Sequence, residues 1–332
     1  MREAQLVQWR KSAQPAGTRH AVVFTHGIFS DHKCFEVFYN RILNDNRFNN
    51  YDVFYYDYNY NDSLESNGRA FAASLCKAFQ PNDSVVIVAH SMGGLVARLA
   101  ILAREMLFVH CLFLLGTPNL GAIRTVQLAL LAQLALDVTR MGFAVFPRKR
   151  GILDLTQAAT ILEKYRNNSQ YADHVDYVSI PGLFYHEGRS PWESSQGTMS
   201  KLFTALLVGL GILHSIIPVA AIKLKRPHDG IVERDSNCLI PCEAGRESEK
   251  CASINFPDKV QVSYAHVEPD SSRRLTHVQL QSDNDIYEII AEIIFSRIGV
   301  DPQGRKMTRL ENWRACLTRK SLTRITQIKM SR

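Results

Sequence analysis

Residues 84–98, "SVVIVAHSMGGLVAR", carry the β-branched run Val85-Val86-Ile87-Val88 straight into His90-Ser91-Met92-Gly93-Gly94 and then into an apolar helical pattern. A serine at such a strand-to-helix junction sits on a strained turn that lifts its hydroxyl clear of the sheet, with small neighbours (Ala89, Gly93, Gly94) letting the backbones pass closely. The chemistry this suits is nucleophilic attack on a carbonyl. The pattern departs from G-x-S-x-G only in having Ala89 at the first position. Charge developing on the attacked oxygen must meet preorganised N–H donors, each worth roughly 2.7–4 kcal/mol. One candidate is the N–H of Met92, at the helix start where backbone donors have no intrahelical acceptor. The other is the N–H of Ile28 in Thr25-His26-Gly27-Ile28-Phe29, which Gly27 lets turn inward.

Such a serine also needs a base, and the base needs a carboxylate on a loop after a late strand, in the chain order Ser, acid, His. "RPHDGIVERDS" offers Asp229, with Asp235 as the alternative, and His266 and His277 follow. His26 and His90 flank the serine and the oxyanion loop in backbone motifs and are read as supporting or packing residues.

The elements that must position these groups are visible as alternating patterns. "HAVVFTHG" (20–27), "YDVFYYDY" (51–58), "SVVIVAH" (84–90) and "VHCLFLLGTP" (109–118) are short apolar runs of the kind a parallel sheet buries on both faces. Helical stretches at 64–80 and 94–106 lie between them, so the fold class is α/β, a mostly parallel sheet flanked by helices. Beyond Pro118 the alternation breaks off; 121–146 and 152–168 look helical, and "HVDYVSIPG" (174–182) returns to strand character. "KVQVSYA" (259–265) reads as a further strand, with His266 directly after it, and 283–298 as an amphipathic helix capped by Ser282 or Asp283.

"FTHGIFSD", "YDVFYYDY", "AHSMGGLVAR" and "LLGTPNLGA", in this order and spacing, resemble the α/β-hydrolase lipases and serine esterases, bacterial triacylglycerol lipases among them. The resemblance covers roughly 20–182 and 227–298. It implies an α/β-hydrolase fold with a helical lid or insertion, a catalytic Ser91, and oxyanion donors at Ile28 and Met92. It favours Asp229, whose Asp-Gly-Ile-Val context is similar to the acid segment of related lipases, over Asp235. It favours His277, in the loop before the last helix, over His266. The activity implied is hydrolysis of carboxylic esters through an acyl-enzyme, with no cofactor and no metal. An acyltransferase on the same fold and a non-catalytic, membrane-associated binding protein are the alternatives.

Composition bounds the rest. A chain of 332 residues fits a 1–19 extension, one hydrolase domain over 20–300 with an insertion around 120–226, and a 301–332 tail. That tail holds nine Lys or Arg against Asp301 and Glu311, which is the whole of the formal net charge of +7. The body is therefore neutral, and no nucleic-acid partner is expected. With Leu310, Trp313 and Leu317 at i, i+3, i+7, and Ile325 and Ile328 beyond, the tail reads either as a basic amphipathic segment for an anionic membrane surface or as a solvated tail. Seven cysteines at irregular spacing suit a reducing compartment, and Cys238, Cys242 and Cys251 lack the paired spacing of a zinc site. No signal-peptide pattern opens the sequence, so the expected location is cytoplasmic, with peripheral membrane contact left open. The apolar segment 201–223 has the ~20 residues a bilayer span needs. A crossing there would put Ser91 and the pair Asp229 and His277 on opposite sides of the membrane. A lid, an acyl-binding wall, a hairpin on a lipid surface, or an ordinary buried helix are the consistent readings. The partner expected is a lipid or acyl-ester substrate.

Overall fold

The computed structural model describes residues 4–12, 18–119, 121, 150–156, 161, 172, 174–182, 229, 231–232, 234–237, 264–269, 275–295 and 325–331. The apolar segment 201–223, most of the insertion, the three cysteines between 238 and 251, and the tail up to 324 lie outside the described residues.

In chain order the elements are β1 (Gln5–Arg10), β2 (His20–Thr25), α1 (Glu36–Leu43), β3 (Tyr51–Asp57), α2 (Leu64–Ala78), β4 (Ser84–His90), α3 (Met92–Ala103), β5 (Val109–Leu115), α4 (Arg150–Thr156), β6 (Asp176–Ile180), α5 (Arg234–Asn237), β7 (Tyr264–Pro269), α6 (Asn284–Phe295) and β8 (Ile325–Ser331). The eight strands form one sheet in the order β1-β3-β2-β4-β5-β6-β7-β8. The six inner strands run parallel, while β1 and β8 close the two edges antiparallel. This is the α/β-hydrolase arrangement of a mostly parallel sheet flanked by helices.

Parallel strands covered on both faces must be apolar at every position, and each strand divides its side chains between two layers. On β4, Val85, Ile87 and Ala89 join one core with α2 and α3 (Phe71, Leu75, Leu95, Leu99). Val86 and Val88 join the other, with α1 and α6 (Phe38, Ile42, Ile286, Ile290). Burying each such aliphatic or aromatic side chain contributes about 1.5–3 kcal/mol. The helices start where side chains satisfy their free N–H groups. The Ser63 hydroxyl accepts from Ser66 N–H at 3.1 Å to open α2, while Asp283 accepts from the N–H groups of Asp285 and Ile286 at 2.9 and 3.1 Å to open α6. Of the two caps expected for α6, it is Asp283 that serves.

Both edges depart from the sequence reading. Residues 5–10, within the expected N-terminal extension, form β1; Trp9 packs its ring, tilted, against those of Tyr39 and Tyr55 (4.5 and 4.8 Å between centroids) and Arg10 donates to Tyr51 O at 2.8 Å. Ile325 and Ile328, counted with an amphipathic tail, lie in β8 along β7. The strand expected at 259–265 is described over 264–269, which puts His266 inside it, its backbone in register with Ser179 of β6 and Lys329 of β8. Among the described residues no helix is long and apolar enough to cross a membrane.

Candidate active site

Strand β4 ends at His90, and the chain reverses into α3 within one residue, Ser91. That residue has φ 53° and ψ −126°, a left-handed conformation a side chain rarely adopts. Strain of this kind, of order 1–3 kcal/mol, persists only where the surroundings impose it. Here they do. Ser91 N–H donates to Leu115 O of β5 at 2.9 Å and Ser91 O accepts from Gly94 N–H at 3.0 Å. A Cβ on Gly93 would collide with the carbonyl oxygens of Thr25 and His26, and one on Gly94 with the Thr117 side chain. The two glycines are therefore a steric requirement of threading the turn between the ends of β2 and β5. The Ser91 hydroxyl is not spent on capping α3.

The loop expected to supply an oxyanion donor, residues 26–29, lies directly against this turn. A side chain at Gly27 would reach within 2.8 Å of Ser91 Cβ and 3.2 Å of His90 Nδ1, so only glycine lets the loop approach. Ile28 packs at the margin of the core shared with α3, and Met92, buried, opens the helix itself. The loop is pinned from behind by the end of β3. Tyr58 Oη–H donates to His26 O at 2.9 Å, and the two rings stack at 4.5 Å. Asp57 accepts from His32 N–H at 3.1 Å and from His32 Nδ1–H at 2.9 Å. The buried His26 donates Nδ1–H to Gly27 O at 2.8 Å, and desolvation lowers its pKa below the usual histidine value. Phe29, next in the loop, is the other non-glycine residue with positive φ among the described residues, at 56°.

The acid and the imidazole meet across 48 positions of sequence. His277 Nδ1–H donates to Asp229 Oδ2 at 2.8 Å, with both side chains buried. Asp229 Oδ1 accepts from the N–H groups of Ile231 and Val232 at 2.9 and 2.7 Å, and Asp229 O accepts from His277 N–H at 3.0 Å. Two backbone donors thus fix the carboxylate through Oδ1, leaving Oδ2 for the ring. Gly182, just past β6, lies so close that a side chain there would come within 2.7 Å of Asp229 Cβ. Gly116, just past β5 with φ +57°, backs the ring: a Cβ there would stand 2.9 Å from His277 Nδ1. Since Gly116 follows Leu115, the residue bonded to Ser91 N–H, the imidazole and the serine sit over adjacent strand ends. The alternative acid Asp235 falls in α5, and the alternative histidine His266 falls inside β7.

Several supporting residues escape sequence reading. A buried polar chain links the turn after β5 to α5: Arg98 Nη1 donates to Asn119 Oδ1 at 2.9 Å, Asn119 Nδ2 to Asn237 O at 2.8 Å, and Asn237 Nδ2 to Thr117 O at 3.1 Å. It ties the segment following Asp229 to α3. The one signal in the sequence was a charge, Arg98, inside an otherwise apolar helix. Among the described residues no group of three His, Cys, Asp or Glu could hold a metal ion.

Comparisons with known proteins bear on the family and the fold. The sequence profile of the alpha/beta hydrolase family matches residues 22–235. The product of gene lin2722 from Listeria innocua is similar in fold, with a TM-score of 0.50 at 10% identity over 85% of this chain and 96% of that one. The mature lipase BlEst2 of Bacillus licheniformis gives a TM-score of 0.49 at 14% identity, covering 86% of this chain and 96% of its own. An esterase from Exiguobacterium antarcticum gives 0.36 at 17% identity over 54% and 76%. No curated protein matched the sequence.

Proposed function

The chain belongs to the alpha/beta hydrolase family and is a hydrolase, and on that premise we propose that it cleaves carboxylic esters of apolar acyl chains through Ser91, His277 and Asp229. The observation that carries the reading is the buried Asp229–His277 pair, 2.8 Å apart, whose imidazole lies 4.7 Å from the ring of His90, the residue that precedes Ser91 at φ 53°. Because a carboxylate only accepts, Nδ1 of His277 holds the ring proton and Nε2 is left with a lone pair. Nε2 would take the Ser91 proton as Oγ attacks the ester carbonyl, and would return it to the leaving alcohol. The N–H groups of Ile28 and Met92 would receive the oxyanion, and water would release the acid from the acyl-enzyme.

The preference for apolar acyl groups rests on the rim. Of the five large apolar side chains exposed among the described residues, Phe29 (39%) follows Ile28 and Val278 (38%) follows His277. Exposed apolar groups next in the chain to an assigned oxyanion donor and to the assigned base favour a hydrocarbon substituent over a polar one. The test is labelling with a fluorophosphonate and peptide mapping in wild type, Ser91→Ala and His277→Ala, followed by a p-nitrophenyl ester chain-length series. Label on Ser91 that falls sharply in His277→Ala, and kcat/KM rising from acetate to longer acyl esters, are the expected results. A folded wild type that takes no label refutes the reading.

A further inference from the structure

His90 lies outside the catalytic steps assigned above, yet its imidazole is buried between the two loops that carry them. On one side its Nδ1 stands 3.2 Å from where a Gly27 side chain would be; on the other its ring lies 4.7 Å from that of His277, centroid to centroid. Its Nε2 is 2.9 Å from the backbone oxygen of His277. A carbonyl only accepts, so Nε2 carries the proton and Nδ1 does not. That Nδ1 is buried with no hydrogen-bond partner among the described residues. An apolar residue would end β4 without stranding a buried acceptor, as Val85 through Ala89 fill the rest of the strand. The position therefore holds a residue that is costly to bury, and the one side-chain hydrogen bond it makes among the described residues goes to the main chain of the imidazole-bearing residue.

We propose that His90 is a positioning residue for His277: donating Nε2–H to its carbonyl, while Asp229 O accepts its N–H at 3.0 Å, holds the His277 main chain from both sides and so fixes the imidazole relative to Ser91. The proposal rests on the reading of His277 as the base. His277 belongs to a turn at 277–282 with no helix or strand of its own, so these two bonds, from two different parts of the fold, supply the rigidity that a regular element would otherwise give. Burial also disfavours a charge on His90, so that ring adds no cation beside an imidazolium formed on His277.

The experiment compares wild type with His90→Gln, whose amide nitrogen reaches the place of Nε2, His90→Asn, whose amide reaches only that of Nδ1, and His90→Phe, which fills the space without a donor. Each is scored for fluorophosphonate labelling of Ser91, for kcat and KM on a p-nitrophenyl ester, and for urea stability. In His90→Phe and His90→Asn kcat falls about tenfold or more with KM within about twofold, the size expected for losing one buried hydrogen bond that matters in the transition state. His90→Gln recovers most of the loss. If His90→Phe does not fold, the Gln and Asn pair carries the comparison unaided. Wild-type kcat in His90→Asn, or a His90→Gln no better than His90→Asn, overturns the proposal and leaves the triad intact. A wild type that takes no label at Ser91 removes the reading beneath the proposal, and the proposal with it.

Discussion

Substituting Ser91 by glycine and by alanine separates what the turn costs from what the hydroxyl does. At φ 53° and ψ −126° the residue occupies the region of the first central position of a type II′ turn, where glycine dominates. Alanine keeps a Cβ and therefore keeps the strain; glycine sheds it. Relief is roughly 1–3 kcal/mol. Against this, glycine gives the unfolded chain more freedom, a loss of about 0.4–1 kcal/mol. Ser91→Gly should therefore exceed Ser91→Ala in stability by about 0.5–2 kcal/mol, read as a higher urea midpoint at unchanged m-value. Both variants should be devoid of esterase activity, so the more stable protein is the inactive one. The wild type should match Ser91→Ala to within about 0.5 kcal/mol, since the hydroxyl makes no capping bond. Equal midpoints for the glycine and alanine variants would refute the claim that the elbow stores strain, whatever the activity measurements give.

Three further perturbations follow from the same geometry. Gly27→Ala places a Cβ 2.8 Å from Ser91 Cβ and must push the oxyanion loop away, so kcat should fall by about 10²–10³ in a protein that still unfolds cooperatively. Full activity in Gly27→Ala would mean that the donor is not in this loop. Asp229→Asn replaces an acceptor with an amide that cannot hold the same His277 tautomer; kcat on an ester should drop by roughly 10⁴, and the unchanged fold is checked by circular dichroism. The third concerns pH. Burial first, then the neighbouring His277 and His26, lower the pKa of His90 well below the ordinary 6.5. Below pH ~6.5 the unfolded chain takes up a proton there that the folded chain refuses, so stability falls as pH falls and levels off above that value. His90→Gln should flatten the acid limb of a urea-stability profile; an identical slope in the variant would show that His90 is not its source.

The parts of this molecule legible in the sequence are those whose burial is two-sided. Strands β2 to β5 must be apolar on both faces, so "AVVF", "DVFYY", "VVIVA" and "CLFLL" stand out without any knowledge of their partners. The edge strands do not. Strand β1 is half exposed along its length, and "QLVQWR" mixes polar and apolar residues accordingly. Ser91 was legible because its neighbours must be small, a local constraint. The supports of its partners were not, because they are non-local. Asp57 and Tyr58 act on a loop some 25–32 positions earlier, and Asn237 reaches Thr117 across 120. Between His266 and His277 the residues alone were silent. Only the resemblance favoured the second, and what separates them in the structure is that His266 lies inside a strand while His277 lies on a free turn within reach of Asp229.

Besides the half-buried His32, three buried imidazoles crowd this end of the sheet, and their hydrogen bonds divide them. His26 gives its Nδ1–H to a carbonyl and turns Nε2 toward the Tyr58 N–H at 3.5 Å. His90 gives its Nε2–H to a carbonyl. A carbonyl partner fixes a neutral tautomer and offers an incoming proton no compensating charge, and burial disfavours the cation on both rings. The carboxylate nearest His26, Asp57 at 3.6 Å, is already engaged twice by His32. His277 alone has a carboxylate bonded to its ring and unshared with another histidine. A proton released by Ser91 would therefore have one destination among the three. On that account the pH dependence of the fluorophosphonate labelling rate of Ser91 keeps the same shape in His26→Gln as in wild type, whatever the change in its magnitude. A His26→Gln profile of altered shape would transfer part of the proton handling to the loop that carries His26.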